Sequence, residues 1–271
     1  MEGKLYICPT PIGNLEDITI RTLNVLKEVD LIAAEDTRTS LKLLNHYGIK
    51  KALTSYHKFN IKEKSQELIN KIKEGKNIAL ISDAGMPGIS DPGEELIRLA
   101  IEEDIEVIAL PGPTASITAL VVSGLKSEKF VFEGFLSSKK SERRKELESL
   151  KEEERTLIFY ESPHRLLKTL DDILNIFGNR NIVIARELTK FYEEIFRASV
   201  EEAIESFSKR SIKGEIVIVL EGGQVIEEEV DIKAELRKYI DQGLSKKEAI
   251  KKVSVENNIG KNLVYKKSLE I

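Results

Sequence analysis

Residues 77–93 read Asn-Ile-Ala-Leu-Ile-Ser-Asp-Ala-Gly-Met-Pro-Gly-Ile-Ser-Asp-Pro-Gly, an apolar run followed by a loop rich in glycine and proline. A helix-like period follows at 93–103. A short, nearly continuous apolar run is typical of a strand that is buried on both faces of a sheet. Glycine lets the backbone approach a ligand closely, and proline stiffens the loop so that little order is lost on binding. The stretch therefore predicts a strand, a ligand-binding loop and a helix.

The same order recurs through the first half of the chain. Two further loops of this kind lie at 9–14 (PTPIGN) and 111–114 (PGPT). Strand patterns are found at 4–8, 30–34, 77–82 and 105–110, and helical periods at about 19–28, 38–47, 61–74 and 93–103. Strands that alternate with helices predict a parallel sheet whose strand-to-helix loops gather along one edge. Three such loops at one edge predict a small-molecule site.

A second α/β block follows the polar segment 123–129. Its predicted strands are 130–133, 156–160, 181–186, 194–199 and 215–220, with a highly charged helix at 139–155. Ser162 and Pro163 predict the N-cap and first residue of another helix. The fold class is thus α/β, with domains at 1–124 and 125–224 and a linker marked by Gly222-Gly223 and by Glu227-Glu228-Glu229.

The segment 231–271 predicts a third, small helical domain, with turns at 242–243 and 258–260. Ser245 to Glu248 has the pattern of a capping box, and two short helices around a glycine turn resemble a helix-turn-helix. Ten Lys or Arg against six Asp or Glu give this segment a net charge of +4, against −8 for residues 1–230. A basic tail suits a polyanion such as nucleic acid, although a packing or dimerisation appendage fits the pattern equally well.

Composition and missing motifs exclude several classes of protein. No apolar run approaches the roughly 20 residues that span a bilayer, and the single cysteine, Cys8, fits a reducing cytoplasm. Three histidines and one cysteine offer no metal-ligand spacing. The sequences G-x-G-x-x-G, G-x-x-x-x-G-K-[ST] and G-x-S-x-G are absent. The loops are therefore expected to bind a neutral or cationic ligand and not a triphosphate.

The ordered set of motifs resembles the tetrapyrrole methylase superfamily, and is most similar to its branch of 16S ribosomal RNA cytidine 2′-O-methyltransferases. The motifs are PTPIGNLEDIT, AEDTR, ISDAGMPGISDPG, LPGPTA, FEGF, FYESPHR and ARELTK. The resemblance implies S-adenosylmethionine as cofactor in a cleft between two α/β domains, a homodimer, and 16S ribosomal RNA or the small ribosomal subunit as partner. It implies no metal and no membrane.

The resemblance also implies which residues form the site. Carried over by motif, the cofactor contacts are Pro11, Asp83, Ala84, Gly85, Ile89, Thr114, Ala115, Tyr160, Glu161 and Glu215. Catalytic candidates for drawing the proton from a ribose hydroxyl are Glu161, His164 and Lys190, because their motifs begin where predicted strands end. Candidates for contacts with the RNA substrate are Arg38, Arg165 and Arg186.

Alternatives stay open at this point. Glu161 and Arg165 are four residues apart and could form a structural ion pair, and each arginine could be solvated or paired. The rival enzyme is a precorrin-type methyltransferase acting on a small tetrapyrrole. The rival outside enzymes is a non-catalytic nucleic-acid-binding regulator that uses the C-terminal helices, against which the three loops argue.

Overall fold

The computed structural model describes residues 2–223, 231–257 and 259–271. It divides into two compact units, Met1–Gly223 and Gln224–Ile271. The predicted linker residues 227–229 and Asn258 of the second predicted turn lie outside the described residues. The predicted boundary near residue 124 falls within the first unit and stays a prediction.

A parallel five-stranded sheet forms from residues 5–109, in the order β3-β2-β4-β1-β5. Its strands are β1 (Leu5–Ile7), β2 (Leu31–Ala34), β3 (Leu53–Ser55), β4 (Ile78–Ile81) and β5 (Val107–Ala109). All four residues of β4 are buried, as its apolar run predicts, and it lies between β2 and β1. Four of these strands confirm the prediction, whereas the edge strand β3 was missed because it holds a single large apolar residue.

Helices connect these strands, and their bounds lie close to the predicted periods. They are α1 (Ile20–Glu28), α2 (Thr37–His46), α3 (Ile61–Lys73), α4 (Gly93–Glu102) and α5 (Ala115–Ser123). Two apolar clusters pack on this sheet, one around Leu68 and Leu80 and the other around Leu26 and Ile32. Cys8 belongs to the second cluster, and burial raises the pKa of its thiol to about 12, so it is a packed apolar residue.

The second sheet has the order β6-β7-β10-β8-β9 and is mixed. Its strands are β6 (Phe130–Phe135), β7 (Thr156–Glu161), β8 (Asn181–Arg186), β9 (Glu194–Ser199) and β10 (Ile216–Leu220). β6 and β7 are parallel, while β10 runs antiparallel to β7 and β8, and β8 antiparallel to β9. β10 is buried along its whole length. The α/β prediction for this block is confirmed.

The helices of this block are α6 (Lys140–Ser149), α7 (Leu166–Phe177) and α8 (Val200–Ser208). The charged helix is thus shorter than the predicted 139–155. The predicted helix start at Ser162 and Pro163 was wrong, since the N-cap of α7 is Arg165. Residues 162–165 form a turn instead, because the Ser162 carbonyl accepts the N–H groups of both Arg165 and Leu166.

The second unit, as far as it is described, folds as α9 (Ile232–Asp241), α10 (Lys246–Glu256) and α11 (Lys261–Ser268). Its own core centres on Leu236, Ala249 and Val253. The predicted capping box is confirmed, because the Ser245 hydroxyl and the Glu248 carboxylate each accept from the other residue's N–H group. Within the described residues of the whole chain, no helix combines the length and hydrophobicity needed to cross a membrane.

Candidate active site

The three loops meet at one edge of the first sheet. Thr10 and Gly85 exchange two backbone hydrogen bonds of 2.9 and 3.0 Å, and the Thr10 hydroxyl donates to the Ser82 carbonyl at 3.1 Å. The third loop packs on the first so closely that a Cβ on Gly112 would lie 2.2 Å from the Cγ of Pro9. The prediction that these loops gather is confirmed, and they form one wall of a cleft.

This cleft has a volume of about 450 Å³ and is lined by both α/β halves of the first unit. Nine of the ten predicted cofactor contacts line it: Asp83, Ala84, Gly85, Ile89, Thr114, Ala115, Tyr160, Glu161 and Glu215. Pro11 does not, since it faces an adjoining cavity that Lys190 also lines. The structure brings the nine residues together, and their contact with a cofactor stays a prediction.

Glu35 lines the same cleft and was missed by the sequence reasoning. Burial raises the pKa of its carboxyl, and the charges of Asp83, Asp91 and Asp36 add to this, while a hydrogen bond from the Asp83 N–H opposes it. Burial also raises the pKa of Asp83. Two carboxylates that are costly to ionise thus share one end of the cleft, where a cation would stabilise them. The signal was present, because Glu35 follows β2 directly.

The other surfaces of the cleft are suited to different ligand groups. Apolar side chains of Ile89, Phe135, Leu188 and Val217 line it, and such walls fit a flat heteroaromatic ring. The first turn of α5 starts at the cleft with Ala115, and the Thr114 hydroxyl bonds to the Gly112 carbonyl and does not cap the described helix. Uncapped N–H groups there suit a carboxylate. The donor set therefore fits S-adenosylmethionine, which carries a sulfonium, an amino acid and an adenine.

Glu161 is held by its neighbours in an arrangement that is structural. Its side chain is fully buried, and Oε1 lies 3.2 Å from Nε of Arg165. Oε1 also accepts the Ser162 N–H at 2.7 Å, and Oε2 accepts the Thr169 hydroxyl at 2.5 Å. Both oxygens are therefore engaged, which favours the ion-pair alternative over a role as base.

The other two candidate bases are placed less well for that role. The side chain of His164 is exposed, and His164 is not among the residues that line the cleft. Nζ of Lys190 lies 2.8 Å from Glu187 and 3.0 Å from Glu215. Burial acts to lower the pKa of Lys190, but these two carboxylates outweigh it and the pKa is raised. Lys190 is consequently an ammonium at neutral pH and has no lone pair to accept a proton.

The turn that carries Lys190 is strained. Glu187 and Thr189 have φ values of 52° and 65°, in the left-handed region that a β-branched residue such as threonine rarely enters. The Thr189 hydroxyl accepts the N–H of Asn14 at 3.0 Å, and a Cβ on Gly13 would lie 2.7 Å from the Leu188 carbonyl oxygen. The first loop is thus bonded to both halves of the unit, and strain of this kind concentrates at functional sites.

The three candidate arginines differ in what their guanidinium groups can reach. Arg165 donates to the Leu136 carbonyl at 2.6 Å as well as facing Glu161. Arg186 pairs with Glu194 at 2.9 Å and donates to the Lys213 carbonyl. Arg38 pairs with Asp36 at 2.8 Å, yet 88% of its side chain is exposed. Arg38 is therefore available to an RNA, whereas Arg165 and Arg186 are occupied by structural contacts.

Comparison with known proteins gives a consistent picture. Residues 4–204 match the family model of the Tetrapyrrole (Corrin/Porphyrin) Methylases. A protein from Halalkalibacterium halodurans named ribosomal RNA small subunit methyltransferase I is 50% identical over 97% of this chain and 94% of its own. A protein of the same name from Thermotoga maritima is 55% identical over 81% of this chain and 99% of its own. A uroporphyrin-III C-methyltransferase of Thermus thermophilus, solved in complex with S-adenyl homocysteine, superposes with a TM-score of 0.58 at 17% identity, covering 81% of this chain and 97% of that one.

Proposed function

The chain belongs to the tetrapyrrole methylase family, and we propose that within this family it methylates the 2′-hydroxyl of a cytidine in 16S ribosomal RNA. The coarser activity is that of an S-adenosylmethionine-dependent ribosomal RNA methyltransferase, the activity named in relatives that match nearly the whole chain. The observation that carries the proposal is the cleft, in which nine residues from five separate motifs converge.

The donor supplies a methyl group on a positively charged sulfonium. Glu35 and Asp83 provide negative charge at one end of the cleft, and the loops that carry the nine residues are fixed to each other by hydrogen bonds. Holding two reacting groups in line contributes several kcal/mol to lowering a barrier, about 7–11 kcal/mol in well-oriented cases. Because Glu161 and Lys190 are both engaged in ion pairs, the proposed acceleration comes from positioning, and water takes the proton.

We also propose a homodimer in the cytoplasm. Ile117 and Val121 lie four residues apart on one face of α5, and 73% of the Val121 side chain is exposed. An exposed apolar face of this kind is suited to a subunit contact. Sedimentation equilibrium of the protein and of a Val121→Asp variant tests the dimer, which the variant should dissociate.

A methyl-transfer assay tests the activity. Purified protein is incubated with S-adenosylmethionine and either naked 16S RNA or small subunits that lack the modification, and the RNA is then hydrolysed in alkali. A 2′-O-methyl group blocks cleavage at its own nucleotide, so an alkali-resistant dinucleotide that begins with cytidine is expected. Methyl transfer to a base, or to a tetrapyrrole and not to RNA, would contradict the proposal, and RNA binding without any transfer would favour the regulator.

The cleft itself is tested by a pair of variants on one helix. Ala115→Met places a longer side chain in the cleft, whereas Ile117→Met changes an exposed residue of the same helix that does not line it. Calorimetric titration with S-adenosylmethionine should show affinity reduced at least tenfold in the first variant and unchanged in the second. Equal affinity in both variants would place the donor elsewhere.

A further inference from the structure

The cavity that adjoins the cleft has a volume of about 330 Å³ and lies between the first loop and the N-terminal half of α2. We call it the α2 cavity. Its walls are Thr10, Pro11, Ile12, Gly13, Leu15, Thr39, Ser40, Lys42, Leu43, Ser82, Asp83, Ala84, Lys190 and Glu215. We propose that the α2 cavity receives the target nucleotide of the RNA, with Ser40 and Lys42 as its polar contacts. This inference rests on the proposed function and adds the place where the acceptor binds.

Position is the first argument. The α2 cavity and the cleft share five wall residues: Ile12, Ser82, Asp83, Ala84 and Glu215. Direct methyl transfer requires the two reacting atoms to approach to about 3–3.5 Å. An acceptor must therefore enter a space that is continuous with the donor's space, and the α2 cavity meets this condition.

Ser40 gives the second argument. It is only 2% exposed, and its hydroxyl oxygen has no hydrogen-bond partner among the described residues. A serine inside a helix commonly bonds back to the carbonyl four residues earlier, but the Asp36 carbonyl here accepts only the Ser40 N–H, at 3.0 Å. A buried polar group without a partner costs stability. On the wall of a cavity, it indicates a partner that arrives with a ligand.

Charge gives the third argument. Lys42 lies on the exposed side of α2 at the cavity, and within the described part of the chain no carboxylate oxygen lies within 4 Å of its ammonium. Lys190 on the opposite wall is neutralised by Glu187 and Glu215. Lys42 is therefore the cation of this cavity that can contact a phosphate, and such contacts set the position of a nucleic acid without reading its sequence.

Size decides which acceptor fits. A volume of about 330 Å³ is at the small end of the range for ligand sites. It suits a single nucleoside turned out of its stack better than a tetrapyrrole macrocycle. Enzymes that act on one nucleotide of a folded nucleic acid commonly extrude it in this way.

Two tryptophan variants of α2 test the placement. Thr39 is exposed and lines the cavity, so Thr39→Trp should block its mouth without disturbing the core. Leu41 is 49% exposed on the same helix and lies outside the cavity, so Leu41→Trp is the matched control. With full-length protein and unmodified small subunits, kcat/KM for RNA should fall at least tenfold in the first variant, while the Kd for S-adenosylmethionine stays within twofold. The control should match the wild type in both.

Each outcome has a distinct meaning. Wild-type protein that transfers no methyl group to the RNA would remove the proposed function and this inference with it. An active wild type with an equally active Thr39→Trp variant would overturn the inference alone. Loss of S-adenosylmethionine binding in Thr39→Trp would also overturn it, because the cavity would then belong to the donor.

Ser40→Ala supplies a readout that a purely structural residue would not give. Removal of an unpaired buried hydroxyl should leave the Tm unchanged or raised. If the hydroxyl contacts the nucleotide, kcat/KM for RNA should nevertheless fall about fivefold. Lys42→Gln should reduce the salt dependence of RNA binding by about one phosphate contact. Unchanged kcat/KM in Ser40→Ala together with an unchanged salt slope in Lys42→Gln would show that neither side chain meets the RNA.

Discussion

The Nζ atom of Lys190 lies 3.0 Å from Oε2 of Glu215, and this ion pair stands where the cleft and the α2 cavity meet. Glu187 holds the same ammonium from the other side at 2.8 Å. The pair therefore places a fixed positive charge at the border of the donor and acceptor spaces. Its function is electrostatic and positional.

Lys190→Arg and Lys190→Met separate a positional cation from a base. Because the pKa of Lys190 is raised, its charge should persist through the neutral range, and arginine should preserve most of kcat. Methionine should lower kcat by about tenfold, since it leaves Glu187 and Glu215 without a counter-charge. The profile of kcat between pH 6 and pH 9 should keep its shape in the arginine variant. A loss of a hundredfold or more in Lys190→Arg would instead identify a base.

Glu161→Gln should act on stability. The variant leaves the Arg165 guanidinium without its buried counter-charge, and breaking a buried pair costs about 3 kcal/mol. Urea unfolding measures this loss. Glu205→Gln is the control, since Glu205 pairs with Lys209 on an exposed helix face, where such pairs contribute roughly 0.5 kcal/mol or less. Equal unfolding free energies for the two variants would refute a structural role for Glu161.

Donor binding should weaken as the pH falls. The pKa values of Glu35 and Asp83 are raised by burial, so these carboxyls take up protons at a higher pH than usual and lose their attraction for a sulfonium. The Kd for S-adenosylmethionine should therefore rise between pH 7 and pH 5. Glu35→Gln should show a weaker affinity at pH 7, by about tenfold, and a flatter pH dependence. Calorimetry at several pH values measures both, and a pH-independent Kd in the wild type would contradict this assignment.

The same substitution should stabilise the free protein. A carboxyl whose pKa is raised on folding binds its proton more tightly in the folded state, so stability falls as the pH rises from its usual pKa to the raised value. At pH 7 the full cost of the charge is present, and Glu35→Gln removes it. A Tm increase of roughly 2 °C is expected in differential scanning calorimetry without ligand. A lowered Tm would show that the Glu35 charge is satisfied within the protein.

The basic C-terminal helices are expected to supply RNA affinity and not donor affinity. Lys246, Lys247 and Lys251 have no carboxylate oxygen within 4 Å among the described residues. Their reversal to glutamate should weaken RNA binding and lower its salt slope by about 0.9 per lost contact, while calorimetry with S-adenosylmethionine is unchanged. Lysine reversals on α3, at Lys62 and Lys71, serve as the control. Equal effects of both sets on RNA affinity would make the tail a packing appendage.

The first sheet was predictable because its strands are apolar on both faces and each is followed by a loop with glycine or proline. Ile78–Ile81 is the strongest case, and the strand missed, Leu53–Ser55, is a short edge strand with two polar residues. The antiparallel pairing of β10 with β7 and β8 was not predictable, since an apolar run carries no direction. The start of α7 was misplaced because Ser162 bonds to the Glu161 side chain and opens a turn before the helix.

The site was predicted through its motifs more than through its physics. The nine cleft residues lie where the resemblance implied. Glu35 and Ser40 were missed because their importance depends on burial and on absent partners, which only three-dimensional packing determines. Pro11 was assigned to the wrong cavity for the same reason, since one loop forms the wall of two adjoining spaces.

Gly13 has no room for a side chain, because an added Cβ would lie within 2.7 Å of atoms in Leu188, Thr189 and Lys190. A chain that acquired alanine at this position would have to rebuild the strained turn 187–190 at the same time. In homologous sequences, the two segments are therefore expected to change together or not at all, although 175 residues separate Asn14 from its partner Thr189. Laboratory evolution of a new acceptor preference should accordingly proceed through α2, where Thr39 and Lys42 are free to vary, and leave this junction intact.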